Sequence, residues 1–238
     1  MHGRNRRSAI FPFVINQEQI KNNLDQIIQL IEKHNPDIIT LQEIDEYSVM
    51  TGSFNQFEYL AGKLNYPYQY FSPSCRIENI FISGNAILSK YALSNCLACK
   101  FDVTFPTDRM GYVSAEVSLP NGKQVVITSI HLAAYDWLGF KSRAKELKLW
   151  EKIISKSVIL AGDFNCDLLG REDTLRSFVA KHNLKTFESE NKNPTFPSWH
   201  PDQRIDWILI TPDLSFIDCA TLPERVSDHL ATLARLTI

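Results

Sequence analysis

Two apolar runs, residues 113–119 and 124–130, flank the turn sequence Pro120-Asn121-Gly122-Lys123. An Asn-Gly pair between apolar runs is a strong signal for a β-hairpin, because these residues accept the backbone angles of tight turns. Other strand-like runs are mixed with a few helical patterns, and no regular βα repeat is present. The sequence therefore predicts an α/β chain of packed sheets covered by helices, and it argues against a TIM barrel or a doubly wound parallel sheet.

The clearest helical pattern covers residues 16–34, where apolar residues recur on one helix face. Weaker helical patterns cover residues 54–64, 141–154 and 174–182. Apolar runs that predict strands lie at residues 38–41, 68–71, 80–82, 86–88, 157–161, 205–210 and 230–236. We find no repeat, low-complexity tract or linker in the 238 residues, and we expect one domain over residues 1–238.

The chain is nearly neutral, with 25 Lys and Arg against 27 Asp and Glu. This balance gives no global attraction to nucleic acid, although a bound metal cation can meet phosphate charge locally. No segment approaches the ~20 apolar residues of a membrane span. The five cysteines favour a reducing compartment, and we expect a cytoplasmic protein, a removed leader being the alternative.

Polar clusters stand where apolar runs end, so their side chains project from rigid elements toward a shared rim, where sites are usually built. These clusters are Leu41-Gln42-Glu43, Ser129-Ile130-His131, Gly162-Asp163-Phe164-Asn165 and Ser227-Asp228-His229, and Arg204-Ile205-Asp206 opens a further strand.

Each cluster taken alone has an ordinary structural explanation. Asp163 and Asn165 are two residues apart, so in an extended segment they face the same side and could polarise a water and bind a phosphate oxygen. An Asx turn after a strand is the alternative, and Gly162 favours it. The pair Asp228 and His229 also fits a surface turn. Glu43 and His131 fit polar strand ends.

The clusters together, and in this order, resemble the endonuclease/exonuclease/phosphatase superfamily of deoxyribonuclease I-like metal-dependent phosphoesterases. The segment 36–43, Pro-Asp-Ile-Ile-Thr-Leu-Gln-Glu, and the segment 84–89, Gly-Asn-Ala-Ile-Leu-Ser, match as well, so the resemblance spans positions 36 to 229. It implies a four-layer αββα sandwich of two mostly antiparallel sheets with helices outside.

The resemblance also implies roles for individual residues. Glu43 would hold the metal, usually Mg²⁺ with Mn²⁺ as a substitute, and Asp228 would support it. Asp163 would orient or deprotonate the attacking water, and His229 would act with Asp206 as an imidazole–carboxylate pair. His131 and Asn165 would contact the scissile phosphate. Asn85 would line the same cleft.

The resemblance has one departure. Members of the superfamily open with a core strand carrying an Asn that helps to hold the metal, whereas this chain begins Met1-His2-Gly3-Arg4-Asn5, which resembles the loop after that strand. We therefore expect the first family strand to be missing. Pro12 would block a regular central strand in the apolar segment 8–15.

The sequence thus predicts a metal-dependent phosphodiesterase or nuclease whose substrate is a nucleic acid or a phosphorylated small molecule or lipid head group. A lipid or inositol-phosphate phosphoesterase of the same superfamily is the first alternative. A catalytically weakened phosphate-binding module is the second, although Asp163 and His229 are both present. The oligomeric state stays open.

Overall fold

The computed structural model describes residues 17–78, 80–103, 109–134, 142–154, 157–168, 173–187 and 193–238. Within these residues four α-helices form: α1 Gln17–His34, α2 Gln56–Lys63, α3 Ser142–Trp150 and α4 Thr174–Lys181. The strands are β1 Ile38–Ser48, β2 Tyr68–Ile77, β3 Phe81–Ser89, β4 Leu93–Lys100, β5 Gly111–Ser118, β6 Gln124–His131, β7 Val158–Asp163, β8 Asp206–Ile210, β9 Ser215–Thr221 and β10 Thr232–Thr237. Short 3-10 turns cover Val49–Thr51 and Glu151–Ile153.

The strands form three sheets among the described residues, with the orders β1-β3-β2, β10-β9 and β4-β5-β6-β7-β8. Every pairing is antiparallel except that of β6 with β7. The predicted hairpin is confirmed, because β5 and β6 pair antiparallel around residues 120–123.

Three apolar clusters separate the layers of the fold. Alternate residues of a strand face opposite sides of its sheet, so each sheet can bury both faces. The β4–β8 sheet packs one face against α3 and α4, with Trp150 and Phe178 in that interface. Its other face, including Val113 and Ile159, meets Ile87 of β3 and Leu236 of β10. On the far side of β1 and β3 lies the cluster of α1 and α2, which includes Leu24 and Leu60. The αββα prediction is confirmed.

The structure corrects several element boundaries. Residues 80–82 and 86–88 belong to one strand, β3, and the strand predicted at 38–41 continues to Ser48. Glu43 therefore lies inside β1 rather than at its exit, at a bulge between Leu41 and Ile44, with a φ of 53°. The sequence patterns did not predict β4 or β9. Both are edge strands, and β4 is mostly exposed with little alternation in burial.

The expectation of a missing first strand falls on residues 1–16, which lie outside the described residues. Within the described residues, no strand lies between β1 and β10. These two strands instead border one cavity of about 1170 Å³. No helix in the described part of the chain is long and apolar enough to cross a membrane.

Candidate active site

The β6–β8 part of the larger sheet brings three of the predicted residues side by side. His131 is the register partner of Asp163, and Asp163 is the register partner of Asp206. Residues two apart on a strand share a face, so these side chains point the same way as Ile127, Ile159 and Ile208, toward the other sheet. Because the strands end at this level, the three polar groups form a rim above an apolar inter-sheet core.

Gly162 allows β7 to approach β6 at this rim. Its φ is +150°, and a Cβ built on it would lie 1.9 Å from the carbonyl oxygen of Ile130. Only glycine has no Cβ to clash there. Glycine is therefore required at position 162 if β7 is to place Asp163 beside His131.

His229 reaches the rim from the segment before β10. Its Nδ1 lies 2.8 Å from Oδ2 of Asp206, and its Nε2 lies 3.9 Å from Oδ2 of Asp163. The first distance is a hydrogen bond, whereas the second is too long for one. The structure thus forms an imidazole–carboxylate pair from residues 23 positions apart in the chain.

Sequence reasoning missed the segment that supports this pair. The ring of Phe196 packs against the imidazole of His229, with centroids 4.8 Å apart. The hydroxyl of Thr195, fully buried, accepts the backbone N–H groups of Ile205 and Asp206. The only signal for it was the aromatic and proline-rich run 194–199.

Asn165 sits in a turn rather than in an extended segment. Its φ is 50°, and its backbone N–H donates to Oδ1 of Asp163 at 2.8 Å, which is an Asx turn. Its side-chain amide donates to the carbonyl of Leu132 at 2.8 Å and lies 3.2 Å from Nε2 of His131. The turn alternative is therefore realised, and it still places Asn165 beside Asp163 and His131.

Glu43 comes to the rim from the opposite sheet. One carboxylate oxygen lies 3.9 Å from Nδ1 of His131. Next to it, the hydroxyl of Ser129 donates to the carbonyl of Leu41 and accepts from the amide of Gln42. These two bonds join β1 to β6 next to Glu43 and hold this part of β1 level with the rim.

Two further predicted residues, Asp228 and Asn85, make contacts of their own beside the group. Asp228 lines the same cavity, and one of its carboxylate oxygens accepts from the hydroxyl of Ser227. Asn85 is buried in β3, and its amide donates to the carbonyl of Gly111, the register partner of His131. Asn85 therefore bonds to the strand that pairs with His131.

The pKa values of three side chains at the rim differ strongly from their ordinary values. Burial lowers the pKa of His131 to about 4 against the opposing charge of Glu43. Burial raises the pKa of Asp163 to about 8, and the negative charge of Asp206 adds to this. For His229, burial lowers the pKa, but the hydrogen bond and charge of Asp206 and the charges of Asp163 and Asp228 outweigh it and raise the pKa to about 9.

The residues at the rim also fit a divalent cation. Ligand atoms of Asp163, Asp206 and His229 all lie within 4.8 Å of one another. Burial raises the pKa of Asp163, and the neighbouring charge of Asp206 raises it further, so a bound cation would stabilise the charged form of this carboxylate. Carboxylate oxygens are the ligands that hard cations such as Mg²⁺ prefer.

A sequence model described as the Endonuclease/Exonuclease/phosphatase family matches residues 17–229. The chain belongs to this family. Family membership implies metal-dependent phosphoesterase activity in general. Curated protein sequences give no match.

Solved structures share the family fold at low identity. An endonuclease/exonuclease/phosphatase from Beutenbergia cavernae superposes with a TM-score of 0.72 at 20% identity over 90% of this chain, which spans 65% of that one. A mannosyl-6-phosphatase from Bacteroides thetaiotaomicron gives 0.71 at 16% identity, with 92% and 91% of the two chains covered. The human Nocturnin catalytic domain gives 0.69 at 18%, with 91% and 86% covered. At these identities the likeness shows the fold alone.

Proposed function

We propose that this family member hydrolyses phosphodiester bonds with a divalent cation, as a phosphodiesterase or nuclease. The observation that carries the proposal is the convergence of Asp163 with the His229–Asp206 pair at one rim. Hydrolysis of a phosphoester needs an activated water and stabilisation of the charge on the phosphoryl oxygens. The rim contains groups of both kinds.

Asp163 and His229 divide the proton chemistry in this proposal. In its carboxylate form Asp163 accepts a proton from the attacking water as the water oxygen bonds to phosphorus. The ester P–O bond breaks in the same displacement, and the leaving oxygen takes the Nε2 proton of His229. His229 is protonated at neutral pH and offers its Nε2–H toward the phosphate. Asp206 accepts the Nδ1–H of His229 and holds the ring in place.

We propose Mg²⁺, with Mn²⁺ as a substitute, as the cation. Glu43 would hold it with support from Asp228, and Asp163 and Asp206 lie close enough to share it. When bound, a divalent cation polarises a phosphoryl oxygen and lowers the pKa of neighbouring carboxyl groups.

The other rim residues would bind the scissile phosphate. Neutral His131 presents an imidazole beside Asp163, with Nε2 3.6 Å from Oδ2. The amide of Asn165 would turn toward a phosphate oxygen by giving up its 3.2 Å contact with His131 while keeping the bond to Leu132. Asn85 would act indirectly, through the strand that carries Gly111.

The proposed substrate is a nucleic acid or a phosphorylated small molecule or lipid head group. Trp199 is 47% exposed and packs edge-on against Phe196, the ring that touches His229. A planar or apolar group flanking the phosphate would find a contact surface there.

A substrate panel tests this proposal. The purified chain is incubated with Mg²⁺ and with single-stranded DNA, RNA, bis(p-nitrophenyl) phosphate, p-nitrophenyl phosphate, sphingomyelin and inositol polyphosphates, with Asp163→Asn as the matched control. We expect turnover of phosphodiesters that the variant loses. Turnover restricted to phosphomonoesters would contradict the phosphodiesterase assignment and leave the family activity standing.

A further inference from the structure

The chain directly after β6 is held by two buried charged side chains of α3, Arg143 and Glu146. The carboxylate oxygen Oε2 of Glu146 accepts the backbone N–H of Ala133 at 2.9 Å. Nε of Arg143 donates to the carbonyl oxygen of Ala133 at 2.8 Å, and its Nη2 donates to the carbonyl oxygen of Ala134 at 3.1 Å. Side chains of opposite charge thus bind both backbone polar groups of Ala133.

Ala133 lies two residues after His131, and the residue between them belongs to the active-site rim. The backbone N–H of Leu132 donates to the carbonyl oxygen of Asp163 at 2.9 Å, which extends the pairing of β6 with β7 past the end of β6. The carbonyl oxygen of Leu132 accepts the side-chain amide of Asn165 at 2.8 Å. The backbone at Leu132 therefore links the positions of His131 and Asn165.

Packing alone does not require charged residues at these two positions of α3. Arg and Glu are rarely buried unless they are paired or hydrogen-bonded, because removing a charge from water is costly. The other large buried residues of the helix, Leu147 and Trp150, are apolar and belong to the core beneath the larger sheet. Apolar side chains at positions 143 and 146 could fill the same space but could not bond to the backbone. Charge-assisted hydrogen bonds are stronger than neutral ones, so this pair of side chains suits a role in fixing the backbone.

We propose that Arg143 and Glu146 are positioning residues that hold His131 and Asn165 in place for the scissile phosphate. The role rests on the proposed function, in which His131 and Asn165 bind that phosphate. Both α3 residues act through the backbone of Ala133, so neither needs to touch the substrate. A phosphodiester is negatively charged before and during hydrolysis, so a misplaced phosphate site weakens binding of substrate and transition state alike. Such a change raises KM without a matching loss of kcat.

Amide hydrogen exchange tests the positioning without any turnover. In the wild type we expect the amides of Leu132 and Ala133 to exchange about as slowly as those of residues 126–130 inside β6, although they lie past its end. Glu146→Leu removes the acceptor of the Ala133 N–H, so exchange of these two amides should quicken at least about tenfold, with residues 126–130 changed less than about twofold. Rapid exchange at Leu132 and Ala133 in the wild type would overturn the proposal even if the variant does not fold.

Steady-state kinetics with bis(p-nitrophenyl) phosphate and Mg²⁺ measure the consequence for the site. We expect Glu146→Leu to raise KM about tenfold while kcat stays within about twofold of the wild type. Glu146→Gln keeps an oxygen that can accept the N–H of Ala133, so it should return KM to near the wild-type value. A merely structural loss would lower kcat through the fraction of folded protein and leave KM unchanged.

Thr128→Val is the matched control. The hydroxyl of Thr128 accepts Nε1–H of Trp150 at 3.1 Å, a buried bond that also joins α3 to β6 but does not reach the chain after the strand. We expect this variant to lose stability while KM and the exchange of Leu132 and Ala133 stay unchanged.

The two measurements separate the positioning role from the proposed function. An unchanged KM in folded Glu146→Leu, or an equal rise of KM in Thr128→Val, would overturn the positioning role. A wild type that hydrolyses no phosphoester would refute the proposed function. Slow exchange at Leu132 that Glu146→Leu quickens would, in that case, still show that α3 holds the rim in place.

Discussion

His229 shows how one contact sets the charge of a side chain. It is partly buried, which disfavours its charged form, yet its bond to Asp206 raises its pKa to about 9. In metal-free protein we expect His229 to be protonated at pH 7 and Asp206→Asn to lower its pKa by at least about one unit, since a carboxylate near an imidazole stabilises the charged ring. NMR titration of the imidazole signals measures both values.

The raised pKa of His229 also determines how the free energy of unfolding depends on pH. Because the folded-state pKa of His229 lies above its ordinary 6.5, the stabilisation from the pair is complete below pH 6.5 and is lost as the pH rises through about 9. The difference in unfolding free energy between the wild type and Asp206→Asn should therefore shrink over that window. A His229 that titrates at or below 6.5 in the wild type would contradict the assignment.

Substitutions should separate the catalytic roles of Asp163 and His229 from any role in the fold. We expect Asp163→Asn and His229→Ala each to lower kcat by at least ~10²-fold, as loss of proton-transfer or charge-stabilising groups does. The fold should survive the first change, because the new amide oxygen can still accept the N–H of Asn165. Cys166→Ala, in the same loop and buried in the core, is the matched control and should change kcat little. A larger loss of kcat from Cys166→Ala would show that these roles are misassigned.

Strand β7 depends on a single glycine to bring the rim together. In Gly162→Ala the new Cβ meets the carbonyl oxygen of Ile130 and the residue keeps a positive φ, so we expect a loss of at least about 2 kcal/mol in unfolding free energy. Gly62→Ala is the control, because it lies exposed in α2 with nothing within 4 Å of the added Cβ and should be neutral or stabilising by up to about 1 kcal/mol. Urea unfolding measures both. Equal effects of the two substitutions would refute the requirement at Gly162.

Helices and strands with strong local sequence signals were predictable. Those whose conformation is decided by pairing with a neighbouring strand were not. The periodicity of α1 and the turn at residues 120–123 predicted a helix and a hairpin that the structure confirms. β4 lacks alternation because it is an exposed edge, and its pairing with β5 decides its conformation. The bulge that places Glu43 inside β1 comes from the pairing with β3 and leaves no local signal.

The sequence predicted which residues form the candidate site better than it predicted how they are arranged. The motifs named Asp163, Asp206 and His229, and the structure brings all three within 4.8 Å. The sequence left an extended Asp163–Asn165 segment and an Asx turn both open, and the backbone makes the turn. The support from Thr195 and Phe196 depends on contacts between distant parts of the chain, which no local pattern encodes.

At the scale of the whole molecule, we propose that residues 1–238 form one domain. The apolar cluster between the sheets draws residues from β1 at one end of the chain and β10 at the other, so neither half can keep that cluster alone. We expect one cooperative urea transition, with the fluorescence of the tryptophans and the far-UV circular dichroism coinciding. Two separated transitions would contradict a single domain.

Metal dependence is the most direct test of the proposed chemistry, because the ligand atoms of Asp163, Asp206 and His229 converge at the rim in a set that fits a divalent cation. The measurement is hydrolysis of bis(p-nitrophenyl) phosphate by protein dialysed against EDTA, before and after Mg²⁺ or Mn²⁺ is added, with Asp163→Asn in parallel. We predict negligible turnover in EDTA, recovery with either cation in the wild type and no recovery in the variant. Undiminished turnover in excess EDTA would contradict the metal-dependent mechanism.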